Sequence, residues 1–301
     1  MSRFLGDGRP VAEIKASKFS KLLQRPPLRS IVGKKGDGRL TTDDLGAAWG
    51  VEPECYLLTL GSWGPETRNQ WSHYYHQTSR PGANLVLQLN FSQRHNRSYR
   101  ALINPRKATP FQTSAHPIAR RGFHTLAWAR LDVDLDNGEA LIEEIQTDWL
   151  RYAKSARRRL ENWHADPELR RALESIYFNG VEIDVKALQT YVDEVLRVHV
   201  PIWDEAMLTA ALEFLLDELG VRRIYYHDYD CGRRLKGIHG SGPPRSLYSR
   251  LPSRFCFGKV SEAPDFLMSR PTRTLKTLKR AEHLRFWKLD FDDIDAAGGR
   301  K

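Results

Sequence analysis

The residues of this chain best suited to chemistry fall in one short stretch, EALIEEIQTDW (139–149). Strand periodicity sets Glu144, Gln146 and Asp148 on one face after Ile142, so three successive same-face positions carry hydrogen-bonding groups. Ionised carboxylates are costly to bury without partners. Such a face therefore either meets water, as on an edge strand, or is organised around a ligand, a cation or an arginine. Gln88 and Asn90 line a second polar face with amides rather than Lys or Thr, and the two faces together read as the walls of a cleft. Arg130 and Asp132 share a face of the preceding strand and offer a counter-charge. A three-residue turn would set Arg130 across from Glu144.

Farther along, His227, Asp228 and Asp230 close a hydrophobic run and are followed by Cys231 and Gly232. A histidine beside acids suits general-base work or an oxygen-rich metal site, and strand ends are where open sheets place reactive groups. Asp and Gly after a strand equally mark a plain turn. Cys231 has no base and orienter at the spacing a nucleophile needs. The Gly/Pro-rich loop opening the 237–257 segment has Arg233, Arg234, Lys236 and Arg245 around it, an anion clamp or a solvated loop. Neither GxxxxGK(S/T) nor GxGxxG occurs, which argues against the common nucleotide folds. Arg151, Lys154 and Arg158 stack on one helical face just after Asp148, where a helix N-terminus favours carboxylate or phosphate.

Three kinds of element must position these groups. NLVLQLNF (84–91) alternates strictly and predicts a strand. HTLAWARLDVDL (124–135) and EALIEEIQTDW (139–149) flank Asp136-Asn137-Gly138, and Asn-Gly is the preferred pair for a tight antiparallel turn. A basic helix over 150–163 leads into a helical stretch reaching about Val200. A second helix from Trp203 is stopped by Gly220, and a strand over 221–230 follows. The expected fold is a single α+β domain over 40–258, a mixed and largely antiparallel sheet with flanking helices. Residues 1–39 read as a basic, partly flexible arm with at most one short helix near Ala16–Leu23. Residues 259–301 read as a basic helix and a polar tail.

The chain has 301 residues, and its apolar content of 41% excludes a disordered or low-complexity protein. Cys55, Cys231 and Cys256 are too few and too scattered for a disulfide scaffold, and no CxxC pair suggests structural zinc. No signal-peptide pattern opens the chain and no membrane-length apolar run occurs, so a cytoplasmic protein without a membrane partner is expected. The net charge of +10 is uneven. Residues 1–39 hold ten basic and three acidic residues, 259–288 hold eight and three, and 40–258 balance 27 against 27. Basic ends of this kind suit nucleic acid or another phosphate-bearing partner.

The run from His124 to Trp149 resembles a group of bacterial and phage sequences built around IEEIQSDW, found within the large polyvalent proteins of phages and mobile elements. The resemblance spans roughly 84–258. It includes Pro110-Phe111 through His116, a helix opening at Trp203, the strand over 221–227, and Tyr248 with Pro252. It marks Glu144, Gln146 and Asp148 as the motif's polar residues and brings Tyr248 among the substrate-binding candidates. Two positions depart: Arg151 stands where the group commonly has Gln, and Trp128 where the phage sequences have His. The order of elements is also similar to the distal half of GNAT-type acyltransferases, without their glycine pattern after the central strand.

The expected function is group transfer, possible acyl transfer included, in a cleft lined by Glu144, Gln146, Asp148, Gln88 and Asn90. Glu144 or His227 would move the proton, and Arg130, Arg151 or Arg245 would hold an anionic part of the substrate. Two alternatives stand beside it: a non-catalytic nucleic-acid-binding accessory protein using the basic ends, and a metal-assisted hydrolase using Asp148, His227 and Asp228. The residues name no cofactor and no oligomeric state.

Overall fold

In the computed structural model of the protein, residues 2–47, 54–64, 77–105, 109–119, 122–164, 174–240 and 242–292 are described. The chain begins with α1 (Ser2–Leu5), β1 (Arg9–Pro10), α2 (Val11–Ala16), α3 (Pro26–Lys34), β2 (Arg39–Leu40) and α4 (Thr42–Ala47). It continues through β3 (Leu57–Trp63), β4 (Asn84–Asn90), α5 (Gln93–Ile103), β5 (Thr125–Asp134), β6 (Glu139–Gln146) and α6 (Asp148–His164). Next come β7 (Ser175–Phe178), β8 (Val181–Asp184), α7 (Val185–Thr190), α8 (Trp203–Glu213), β9 (Arg223–His227) and α9 (Tyr229–Leu235). The last are α10 (Arg250–Arg254), β10 (Gly258–Val260), α11 (Asp265–Ser269), α12 (Arg273–Arg280) and β11 (Phe286–Asp290). The class is α+β with a mixed, mostly antiparallel sheet.

Two compact units divide the chain. The first comprises Met1–Glu54, Asp134–Leu141 and Gly220–Lys301, and the second Cys55–Val133 and Ile142–Leu219. Strand β6 runs through both, with its first three residues in the first unit.

In the second unit the strand order is β6-β5-β4-β3. Strand β4 alternates as its sequence predicts, but both its faces are covered. Leu87 and Leu89 are buried on one side, and Val86 and Gln88 on the other. Its antiparallel register with β5 pairs Val86 with Arg130 and Gln88 with Trp128, and its register with β3 pairs Val86 with Gly61 and Gln88 with Thr59. Opposed residues in a ladder share a face, so the polar side chains of β3, β4 and β5 gather on one side. Below the other side lies an aromatic cluster. The Trp149 indole N–H donates to the Tyr191 hydroxyl at 2.7 Å, and the ring meets Phe91 and Tyr99 edge-on at 5.1 and 4.8 Å.

Three differences from the sequence reading concern the stretch from β5 to β8. Strand β6 ends at Gln146, so Asp148 and Trp149 open α6 rather than close a strand. The cause is Thr147, whose hydroxyl accepts the Leu150 N–H at 3.3 Å and caps the helix. Four residues, 135–138, join β5 to β6, with Gly138 at φ 62°. Part of the stretch expected to be helical is the hairpin β7–β8, turned by Asn179 and Gly180 at φ 45° and 85°, the pairing a tight turn favours. Residues 165–173 of that stretch lie outside the described residues.

In the first unit the order is β10-β11-β9 followed by the start of β6. Strands β6 and β9 begin side by side, the N–H groups of Arg222 and Arg223 both donating to the Gly138 carbonyl at 3.0 and 3.1 Å. The basic N-terminal segment carries more structure than the single short helix expected near Ala16–Leu23. It has α2, α3, a two-residue ladder of β1 with β2, and buried Ile14, Phe19, Leu23 and Leu40. The C-terminal basic helix is α12, whose Leu275 and Leu278 are buried, and strand β11 follows it. Helix α9 crosses closely over His227, because a Cβ at Gly232 would meet the His227 Cβ at 2.8 Å.

Candidate functional site

The candidate site lies in the second unit and centres on Asp148. Its side chain is 2% exposed and faces the His116 ring, which is 26% exposed. The His116 Nδ1 lies 2.9 and 2.8 Å from the two carboxylate oxygens. Three further donors converge there: Gln146 Nε2 at 3.0 Å, Arg151 Nη2 at 2.5 Å, and the Trp128 indole N–H at 3.5 Å. Burial by itself raises the pKa of this carboxyl. The His116 hydrogen bond and charge, then Arg151 and Gln146, outweigh burial and hold the carboxyl below its ordinary range. An ionised carboxylate only accepts hydrogen bonds, so the His116 Nδ1 that faces it does so as the donor. Because Thr147 caps α6, the Asp148 carboxylate is left to its side-chain partners.

Beside this dyad on the same sheet face, Arg130 is 1% exposed and its Nη2 donates to the Glu144 carboxylate at 2.6 Å. The Trp63 ring lies 5.3 Å from the Arg130 guanidinium carbon and 6.4 Å from the His116 ring. Trp63 packs with Val86 and Trp128 in one buried apolar patch, and Trp128 meets His116 edge-on at 5.6 Å. Glu144 is therefore an ion-pair partner in the interior, and on the polar face of β6 only Gln146 is partly exposed.

The predicted amides are occupied within the sheet. Gln88 accepts from the Thr59 hydroxyl at 2.7 Å and donates to the Pro117 carbonyl at 2.9 Å. Asn90 donates to the Leu57 carbonyl and the Thr59 hydroxyl at 3.1 and 2.8 Å, and accepts from Thr125 at 2.9 Å. Two neighbouring carboxylates serve structure as well. Arg80 grips Asp132 through Nε and Nη2, and Ser79 donates to Glu143 through its N–H and hydroxyl. Of the basic stack on α6, Arg151 joins the site, while Lys154 and Arg158 are exposed.

The other predicted residues sit in the first unit. His227 is buried, and Asp228 caps α9 by accepting the Asp230 N–H at 3.1 Å. Arg245 is exposed, stacks on Tyr229 at 4.1 Å and lies 3.6 Å from Asp230. Tyr248 is a core residue whose carbonyl accepts the Trp287 indole N–H at 2.9 Å. Burial pushes the Cys231 thiol up to about 11, so it does not ionise readily. Among the described residues, no group of three or more His, Cys, Asp or Glu side chains is placed to hold a metal.

Sequence reasoning missed His116, Trp63 and Trp128 as site residues. The first lies in a loop without periodicity, 32 residues from its carboxylate partner. Its only signal is its place in the Pro110-Phe111 to His116 segment. No family model matches this chain, and no curated protein or solved structure matches it.

Proposed function

We propose that the protein is an enzyme of group-transfer type in which His116 is the proton-transfer residue and Asp148 its positioning partner. The observation that carries this reading is a half-buried histidine with Nδ1 held by a buried carboxylate that three further donors orient. In that arrangement Nε2 accepts the proton of an attacking hydroxyl, amine or water, and the carboxylate steadies the imidazolium that forms. This assigns to His116 the task expected of Glu144 or His227, since Glu144 is engaged by Arg130 and His227 is buried. The two departures from the IEEIQSDW pattern support it as well. Trp128 and Arg151 both donate to Asp148.

Turnover of the activated ester p-nitrophenyl acetate tests the reading, with the same concentration of free imidazole as reference. The wild-type protein is expected to exceed imidazole, and His116→Ala to lose ~100-fold or more while staying folded. A rate no greater than that of imidazole, or equal in His116→Ala, overturns it.

A second reading, nucleic-acid binding, draws on the division of charge. The first unit carries 28 basic and 19 acidic residues, the second 19 and 18, so the excess belongs to the first. Arg273, Lys276, Lys279 and Arg280 are all exposed on α12. Binding to a DNA or RNA duplex should then weaken steeply with salt and with Glu substitutions at these four positions. Salt-independent binding, or none, removes this reading.

A further inference from the structure

Arg130 is a buried cation with more donors than partners. One nitrogen, Nη2, meets Glu144, while Nε and Nη1 are buried and find no hydrogen-bond partner among the described residues. An arginine has five N–H donors in a rigid fork and cannot shed its charge, so two idle nitrogens in a dry interior are costly. Packing and ion pairing do not require this arrangement. A hydrophobic pair of similar volume usually serves a sheet interior as well as or better than a buried ion pair. On the same sheet face Asn84, which pairs with Trp63 in the β3–β4 ladder, also has a buried Oδ1 without a partner among the described residues. The Trp63 ring centre lies 5.3 Å from the guanidinium carbon and 6.4 Å from the His116 ring centre, so the idle donors and the dyad flank one aromatic ring.

We infer that Arg130 is the oxyanion-binding residue of this site, with Nε and Nη1 receiving a carboxylate or phosphate oxygen of the substrate while His116 acts on the neighbouring reactive group. The inference rests on the proposed function and names its substrate class: a molecule carrying an oxyanion close to the group that is transferred or attacked. Among the arginines weighed from sequence, Arg151 is already committed to Asp148, and Arg245 is an exposed side chain of the first unit. Arg130 alone of the three pairs deep burial with unsatisfied donors. Glu144 keeps the site near neutral before binding, so the oxyanion meets aligned donors rather than a bare charge.

Nitrogen-15 NMR of the arginine Nε–H signals tests this. The Arg130 signal is assigned by its loss in Arg130→Met/Glu144→Gln, a pair that leaves no lone buried charge. Titration with inorganic phosphate and, separately, with acetate should move the Arg130 signal saturably with half-saturation near ~1 mM or tighter for at least one of them. The tighter arm names the oxyanion as phosphate or carboxylate. A signal unmoved by both anions, or one that drifts without saturating, overturns the inference. His116→Ala is expected to retain this titration while losing ester turnover, so the anion site and the dyad fail separately.

Discussion

His116 Nδ1 stands 2.8 Å from a carboxylate oxygen of Asp148, although the first residue belongs to a loop and the second opens a helix. Several things must coincide for that distance. Strand β6 delivers the chain to the site, Thr147 takes over the capping of α6, and the loop before β5 lays His116 against Trp63 and Trp128. The result is an acceptor-only group facing a ring nitrogen that must then hold a proton.

Asp148→Asn removes the negative charge and keeps the shape. It is expected to lower His116-dependent turnover by ~100-fold or more, because the imidazolium loses its counter-charge. Unfolding in urea should shift modestly. The folded-state carboxyl sits below its ordinary value, so wild-type Asp148 adds stability above the unfolded pKa, and this is lost as pH falls through the folded pKa. The variant should lack that part of the acid sensitivity.

Arg130→Met alone and Glu144→Gln alone each break an interior ion pair and are expected to cost about 3–5 kcal/mol in the Arg130 case, where a bare carboxylate remains. The double variant should recover much of the loss. Chemical denaturation of all four proteins checks this, with non-additivity as the sign of a real pair.

Burial lowers His95 to about 3 and His124 to about 4, in the aromatic cluster under the sheet. Both are neutral when folded and take up protons when unfolded below the free value of about 6.5. Unfolding is therefore favoured as pH falls from about 6.5 towards 3–4, and stability rises again with pH through the same window. Thermal melts across that range should show the slope, and His124→Phe should flatten it.

Gly232→Ala puts a Cβ 2.8 Å from the His227 side chain, too close without movement of α9. A loss of about 1–3 kcal/mol is expected, read by the urea midpoint. A neutral result would mean that α9 shifts freely.

The legible parts of the fold are those with a local physical cause. Leu85, Leu87 and Leu89 alternate and mark β4, and Gly220 at φ 65° ends the stretch that begins at Trp203. The β5–β6 hairpin follows from two alternating runs around Asn137-Gly138. Asn179-Gly180 offered the same signal for β7–β8, but the four-residue strands beside it are too short for periodicity to outweigh a helical setting. Strand β11, FWKLD, was hidden for a similar reason behind the basic helix α12. At the site, periodicity set Arg130 and Glu144 on polar strand faces, while their pairing hung on a turn length that the sequence left open. His116 was not legible, because its partnership depends on a contact across 32 residues that no spacing encodes.

The tautomer of His116 tests the dyad most directly. Nitrogen-15 NMR of the imidazole, followed up the pH scale until the ring is neutral, should show Nδ1 protonated and Nε2 bare in the wild type, with that preference lost in Asp148→Asn. A His116 ring protonated on Nε2 alone, or unchanged by the substitution, would contradict the assignment of Asp148 as its partner.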